Sequence, residues 1–204
     1  PGLAHFIEHI LFEGPTRDSV HPLMRPLVRR AVDINANTSK NYTRYEVSNG
    51  EDVAELLEAV LGMTKDIIAT SEVVELERLV ILQEIAESRI RSRTDRWRFR
   101  TLYPHISGLH YTPDGTEESV KAITIDDLKA HHKRWYGPSN SLIQVASQFS
   151  HDTIVRLVEK SWLGQAPSSE SLRPLPAITP QRIRAVHYDA HESDEVEIYT
   201  SLPP

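Results

Sequence analysis

Apolar residues recur at helical spacing from the start of the chain. Leu3, Phe6, Ile7, Ile10 and Leu11 fall on one side of a helix over 3–13, which Gly14-Pro15 stops. A second helical stretch is expected over 20–31, where Pro22 fits a first turn and Pro26 must lie near the start or kink the helix. Residues 33–49 change character: rich in Asn, Thr and Tyr, partly alternating and poor in helix formers, they predict two short strands or one bent edge strand. Helical periodicity resumes over 51–69, with Val53, Leu56, Leu57, Val60, Leu61, Thr64 and Ile67 on one face. A second strong helix is predicted over 72–93, burying Val73, Leu76, Val80 and Ile85, with Ser71 as N-cap and Glu72 and Glu75 in the first turn.

Residues 95–105 read as helix and end before a turn-rich loop over 107–116. Thr124 caps a helix over 125–136, with Asp126 and Asp127 near its positive end, and Gly137-Pro138 terminates it. Residues 141–147 read as a strand, 151–163 as a helix, and 182–189 and 194–201 as strands, with a Pro/Ser-rich loop or linker over 164–180. Helices mixed with scattered strands, without regular βαβ alternation or internal repeat, predict an α+β fold with helices packed mainly on one face of a sheet.

Composition narrows the chemistry. A chain of 204 residues, 39% hydrophobic and 25% charged, is ordinary globular material, enough for one domain or one domain of two lobes. No apolar run is long enough to span a bilayer. The absence of Cys excludes disulfides, thiolate nucleophiles, Cys-type zinc sites and iron–sulfur clusters, and it favours no compartment. A formal net charge of −6 argues against nonspecific nucleic-acid binding. Because Pro1 stands where an initiator Met would, and the chain runs straight into a helical pattern, we read it as a fragment lacking its natural N-terminus.

The segment with the sharpest chemical content is His5-Phe6-Ile7-Glu8-His9. On a helix, residues four apart share a face, so His5 and His9 can aim two imidazoles at one metal ion. Glu8 falls on the same side but beside the metal, where a general base for a metal-activated water is needed. Shuffling this composition yields about 0.04 such motifs per chain, so chance is a poor explanation. Catalytic zinc takes three protein ligands and keeps a position open. Without Cys, the third must be His, Asp or Glu. Glu77 and Glu84, two helical turns apart, share one face of the second strong helix and are the candidates there.

The opening Pro-Gly-Leu-Ala-His-Phe-Ile-Glu-His-Ile-Leu-Phe-Glu-Gly resembles the active-site segment of the M16 (pitrilysin, insulinase, mitochondrial processing peptidase) metallopeptidases, the inverted zincins. Glu-Arg-Leu-Val-Ile-Leu-Gln-Glu-Ile at 77–85 resembles the family's segment for the third zinc ligand. This match implies Zn2+ held by His5, His9 and Glu84, with Glu8 as catalytic base and Glu77 as a supporting acid. Asn35-Ala36-Asn37-Thr38-Ser39 is similar to the family's Asn-Ala-x-Thr edge strand. That likeness implies that Asn35, Ala36 and Thr38 bind an extended peptide. Residues 111–120, Thr124-x-x-Asp127-Leu128 and 136–140 resemble the region joining the halves of the family's structural repeat.

The resemblance implies a mixed, largely antiparallel sheet and a zinc-dependent endopeptidase acting on peptide or protein substrates. It divides the chain into an N-terminal catalytic portion over 1–105 and a following portion over 106–204. It also implies a second half-domain, on the same chain or a partner subunit, without which the fragment is not expected to cleave. The alternative within the family is a non-catalytic scaffold or substrate-presenting subunit of a heteromeric peptidase or membrane complex. One departure is local: a Gly pair usual before the Asn-Ala segment is replaced by Ala31-Val32.

Other motifs read more plainly. The sequons at Asn37 and Asn41 are taken as chance. Arg89, Arg91, Arg93, Arg96, Arg98 and Arg100 read as a solvated helix face able to pair with Glu84, Glu87 and Asp95, ahead of an RNA-binding patch. The neighbours His131 and His132 face different ways, and His105 and His110 flank a loop.

Overall fold

A computed structural model describes residues 1–13, 21–103 and 107–166, of which 89–95 and 107 by backbone alone. The strands expected at 182–189 and 194–201, most of the 164–180 linker and His105 lie outside the described residues. In chain order the elements are α1 (Leu3–Phe12), α2 (Arg25–Arg29), β1 (Asp33–Thr38), β2 (Thr43–Ser48), α3 (Val53–Met63), α4 (Ser71–Glu87), α5 (Arg89–Leu102), α6 (Glu117–Ala122), α7 (Ile125–Trp135), α8 (His151–Lys160) and α9 (Trp162–Gln165).

α1 is the centre of the packing. Phe6, Ile7, Ile10 and Leu11 are at most 1% exposed, and α1 lies against α4, α7 and the hairpin. Met24, Leu27, Ala59, Met63, Val73, Val74, Ile81, Val120 and Leu128 close the same core from the other elements. A helix buried on this many sides gains stability from apolar area removed from water, about 25 cal/mol per Å². It is also held stiffly, which matters for the histidines it carries.

The fold is α+β with an antiparallel sheet. β1 and β2 pair from Asp33 opposite Ser48 to Thr38 opposite Thr43. Strand alternation turns Ile34, Ala36 and Thr38 inward, and α1 and α3 cover that side of the hairpin. Of the two readings left open for 33–49, the pair of short strands is the one observed. Pro26 sits in the first turn of α2, where its missing N–H costs nothing.

Ala31, just before β1, has φ 54°, a left-handed conformation that opposes its Cβ and that Gly adopts freely. Ala31 is exposed, so a change there removes no packing. Ala31→Gly should therefore stabilise the protein by about 1 kcal/mol, the left-handed penalty less the extra flexibility of unfolded Gly. A urea unfolding series with a raised midpoint and unchanged slope checks this.

Several expectations need correction. The helix expected over 51–69 ends at Met63, because the Thr64 carbonyl that would continue it accepts from His132 Nε2 at 2.9 Å. The N-cap of α4 is Thr70, not Ser71; its hydroxyl accepts from Val73 N–H. α4 stops at Glu87 and α5 follows at once. Val80, expected inside, is 43% exposed, whereas Val74, Arg78 and Ile81 are buried. On the inward face Arg78 is buried and hydrogen-bonded. Its guanidinium donates to the Val120 and Ile123 carbonyls, the latter at 2.8 Å, and so closes the end of α6. Residues 141–147 form no strand: among the described residues they have no ladder partner, and Leu142 is 94% exposed. Extended sequence becomes a strand only when another edge accepts its hydrogen bonds. Thr124 caps α7 as expected, in a reciprocal pair with Asp127.

Candidate metal centre

His5 and His9 stand one turn apart on α1, their rings 4.7 Å apart between centroids and nearly perpendicular. Both stem from the helix whose other face is the core, so their backbone is fixed by Phe6, Ile7 and Ile10. Glu84 comes from α4, which packs on α1. Its Oε2 lies 3.7 Å from His5 Nε2 and 3.6 Å from His9 Nε2. The three residues offer donor atoms that all lie within 4.8 Å of one another.

Three donors each about 2.0–2.2 Å from a tetrahedral ion are themselves about 3.3–3.6 Å apart. The two Glu84 distances are close to that spacing, and two imidazoles with one carboxylate are a donor set that zinc accepts. The residues present therefore fit the group.

The surrounding charges are arranged by ring nitrogen. His9 Nδ1 lies 3.0 Å from Glu77 Oε2, so as the Nδ1–H tautomer it donates there and leaves Nε2 bare toward Glu84. Burial disfavours protonated His9, but the Glu77 hydrogen bond and the charges of Glu84, Glu77 and Glu8 outweigh it, and its pKa is raised. Burial, aided by the charge of His9, lowers the pKa of His5 against the pull of Asp114 and Glu84. Burial, with the Glu77 charge nearby, raises that of Glu13.

Glu8 is turned to the hairpin. Its Oε2 accepts from the Thr38 hydroxyl, which in turn lies 3.2 Å from the Thr43 hydroxyl. Behind them, the Tyr45 and Tyr136 hydroxyls share a hydrogen bond of 2.8 Å. Burial raises both phenols, Tyr136 to about 12, so both remain neutral donors.

The structure thus brings His5, His9 and Glu84 together, sets Glu77 against His9, and sets Thr38 against Glu8. Thr38, expected to meet peptide, directs its hydroxyl to the acid. Asn35 and Ala36 lie further along β1: Asn35 Oδ1 accepts from the Ala36 N–H at 3.0 Å, and its amide donates to Glu46 at 3.2 Å. Asp114, Tyr45, Tyr136 and Arg78 were not singled out as site residues from sequence. The turn signal Thr112-Pro113-Asp114-Gly115 marked where Asp114 sits, but gave no sign that it faces His5.

Of the arginine-rich segment, Arg96, Arg98 and Arg100 have described side chains: Arg100 is exposed, and Arg96 and Arg98 are half-buried. Glu84 faces the imidazoles, and Glu87 accepts from Gln83. Arg96 and Arg100, with His110 and Tyr111, line a cavity of about 380 Å³, and Arg96 Nε is buried without a hydrogen-bond partner. His131 packs near Trp135 while His132 stacks on Tyr136, so the pair does diverge.

Comparison with known proteins places this arrangement. Residues 1–103 match the family described as Insulinase (Peptidase family M16), and residues 122–201 match the one described as Peptidase M16 inactive domain. The chain belongs to peptidase family M16. It is 30% identical over 182 residues to a probable mitochondrial-processing peptidase subunit beta of Schizosaccharomyces pombe, covering 84% of this chain and 38% of that protein. It is 27% identical to an uncharacterized zinc protease of Streptomyces coelicolor, covering 85% of this chain and 39% of that protein. Among solved structures, a putative M16-like peptidase from Alicyclobacillus acidocaldarius superposes with a TM-score of 0.67 at 29% identity, over 83% of this chain and 39% of its own. The chain spans less than half the length of these relatives. Among the described residues, no helix is long and apolar enough to cross a membrane.

Proposed function

We propose that this chain carries the catalytic half of a zinc-dependent endopeptidase. His5, His9 and Glu84 would hold zinc; when bound, zinc eases deprotonation of a water and polarises the scissile carbonyl. Glu8 takes the proton of the attacking water and returns it to the leaving amine. Thr38 holds the Glu8 carboxylate in place, and Glu77 keeps His9 in the tautomer that leaves Nε2 free. The peptide lies extended along β1, exchanging backbone hydrogen bonds near Asn35 and Ala36, where the Asn35 side chain must yield the Ala36 N–H. Residues 1–105 form the catalytic portion and 106–204 the following one, and a second half-domain, in cis or on a partner subunit, completes the cleft.

The observation that supports this reading most is the convergence of Glu84 Oε2 on both Nε2 atoms, at 3.7 and 3.6 Å, from a separate helix. A scaffold or substrate-presenting subunit has no need to preserve all four of His5, Glu8, His9 and Glu84. Chelation tests the choice. In the full-length protein with its second half, stripping metal should reduce peptide cleavage to background, and stoichiometric zinc should restore it. A metal-free protein that gains no cleavage from added zinc would favour the scaffold.

A further inference from the structure

The two imidazoles of the metal centre differ in how their far nitrogens are served. His9 Nδ1 has Glu77 at 3.0 Å. His5 Nδ1 is buried and has no hydrogen-bond partner, although Asp114 Oδ1 stands 3.9 Å away. A ring that gives Nε2 to a metal carries its proton on Nδ1, and a buried N–H left unmade costs about 1–3 kcal/mol.

Asp114 is delivered to this place by construction. It precedes Gly115, which closes a turn through Gly115 N–H to the Thr112 carbonyl at 3.0 Å. Gly115 has φ +84° and abuts Gly2, the N-cap of α1, which itself has φ +92°. A Cβ on Gly115 would come within 3.0 Å of Gly2 Cα, and one on Gly2 within 3.1 Å of the Asp114 carbonyl oxygen. Only glycine at both places lets the loop approach the N-cap of α1, in whose first turn His5 lies. From the other side, Lys40 Nζ donates to the Leu109 and Tyr111 carbonyls at 3.1 and 2.6 Å, tying the loop to the hairpin that carries Thr38.

We infer that Asp114 is the positioning carboxylate of His5, as Glu77 is of His9: in the metal-loaded protein it accepts the His5 Nδ1–H and fixes that ring with Nε2 toward Glu84. The two carboxylates reach the rings from different elements, Glu77 from α4 and Asp114 from the loop before α6. This inference rests on the zinc reading above, and it adds a residue to the centre that the sequence motif does not contain.

The test uses the full-length protein, with zinc affinity measured by competition against a chelator of known strength. Asp114→Ala should weaken zinc by 10–100-fold, the cost of losing an outer partner of a histidine ligand. Asp114→Asn, which keeps an accepting oxygen, should recover most of that loss. Proton NMR of the zinc-loaded wild type should show exchange-protected Nδ1–H signals for both His5 and His9, and Asp114→Ala should lose only that of His5. Asp114 also sits near the positive end of α1, where a merely electrostatic role would lower thermal stability and leave zinc affinity unchanged. That outcome, or an Asp114→Ala protein that retains the His5 signal, overturns the inference while the zinc reading stands. Wild type that binds no zinc in this assay overturns both.

Discussion

Glu8→Gln in the full-length protein should lower peptide cleavage by about 10²–10⁴-fold, the usual contribution of a positioned general base, with zinc still bound. Glu8 lies between the two parts of the proposed site without belonging to the donor set: the three clustered donors are His5, His9 and Glu84. Its carboxylate is held by the Thr38 hydroxyl, and Thr38 is held by the Thr43 hydroxyl across the hairpin. Gln retains the side-chain volume and one accepting oxygen, so the Thr38 hydrogen bond survives and the site keeps its shape. What disappears is the oxygen able to take a proton. Cleavage assays and metal analysis on the same sample separate these effects. Undiminished turnover by the zinc-loaded variant removes Glu8 from the mechanism. A variant that loses zinc as well would mean that Glu8 belongs to the donor set, contrary to the geometry.

The parts of the site legible in sequence are those written in short-range periodicity. His5 and His9 share a face because they are four apart on a helix, and Glu77 and Glu84 share one because they are seven apart. Neither fact says that the two faces meet. Resemblance to a known family supplied that pairing, and the packing of α1 on α4 provides it physically. Contacts made by loops across long separations left no periodic trace. Asp114 reaches His5 because two glycines in left-handed conformations allow close backbone approach, and nothing in the turn residues reveals the partner. The same limit governs the fold. Cap and stop residues placed α7, an Asn/Thr/Tyr-rich change of composition placed the hairpin segment, and apolar spacing placed α1. It overran α3, because the stop is a carbonyl taken by His132 from another helix. Residues 141–147, short and apolar-rich, read as a strand, where no neighbouring edge is present among the described residues. On α4 apolar spacing assigned Val80 to the interior, whereas the buried position falls to Arg78, an amphipathic residue whose stem packs and whose head closes the α6 carbonyls.

Glu84→Ala should cost zinc affinity well beyond the 10–100-fold expected for an outer partner such as Asp114, and cleavage should vanish with it. Glu84 is 44% exposed and contributes nothing to the core, so the variant should fold and unfold as the parent does. The pH dependence gives an independent reading. Metal needs both rings free of protons at Nε2, so affinity must fall as pH drops through the imidazole range. In the parent without metal, burial opposes protonation of His9, but its Glu77 hydrogen bond and then the Glu84 charge raise its pKa above the ordinary 6.5. Proton competition therefore begins at a higher pH than for a free imidazole. Removing Glu84 removes one of the charges that hold that proton, so in the variant the onset moves to lower pH even as the affinity at neutral pH collapses. Competition titrations between about pH 5 and 8 measure both effects on one sample set. An alanine variant that binds zinc as tightly as the parent would detach α4 from the metal. The convergence of two helices on one ion, from which the catalytic reading is built, would then be only an ordinary contact between a carboxylate and two neighbouring rings.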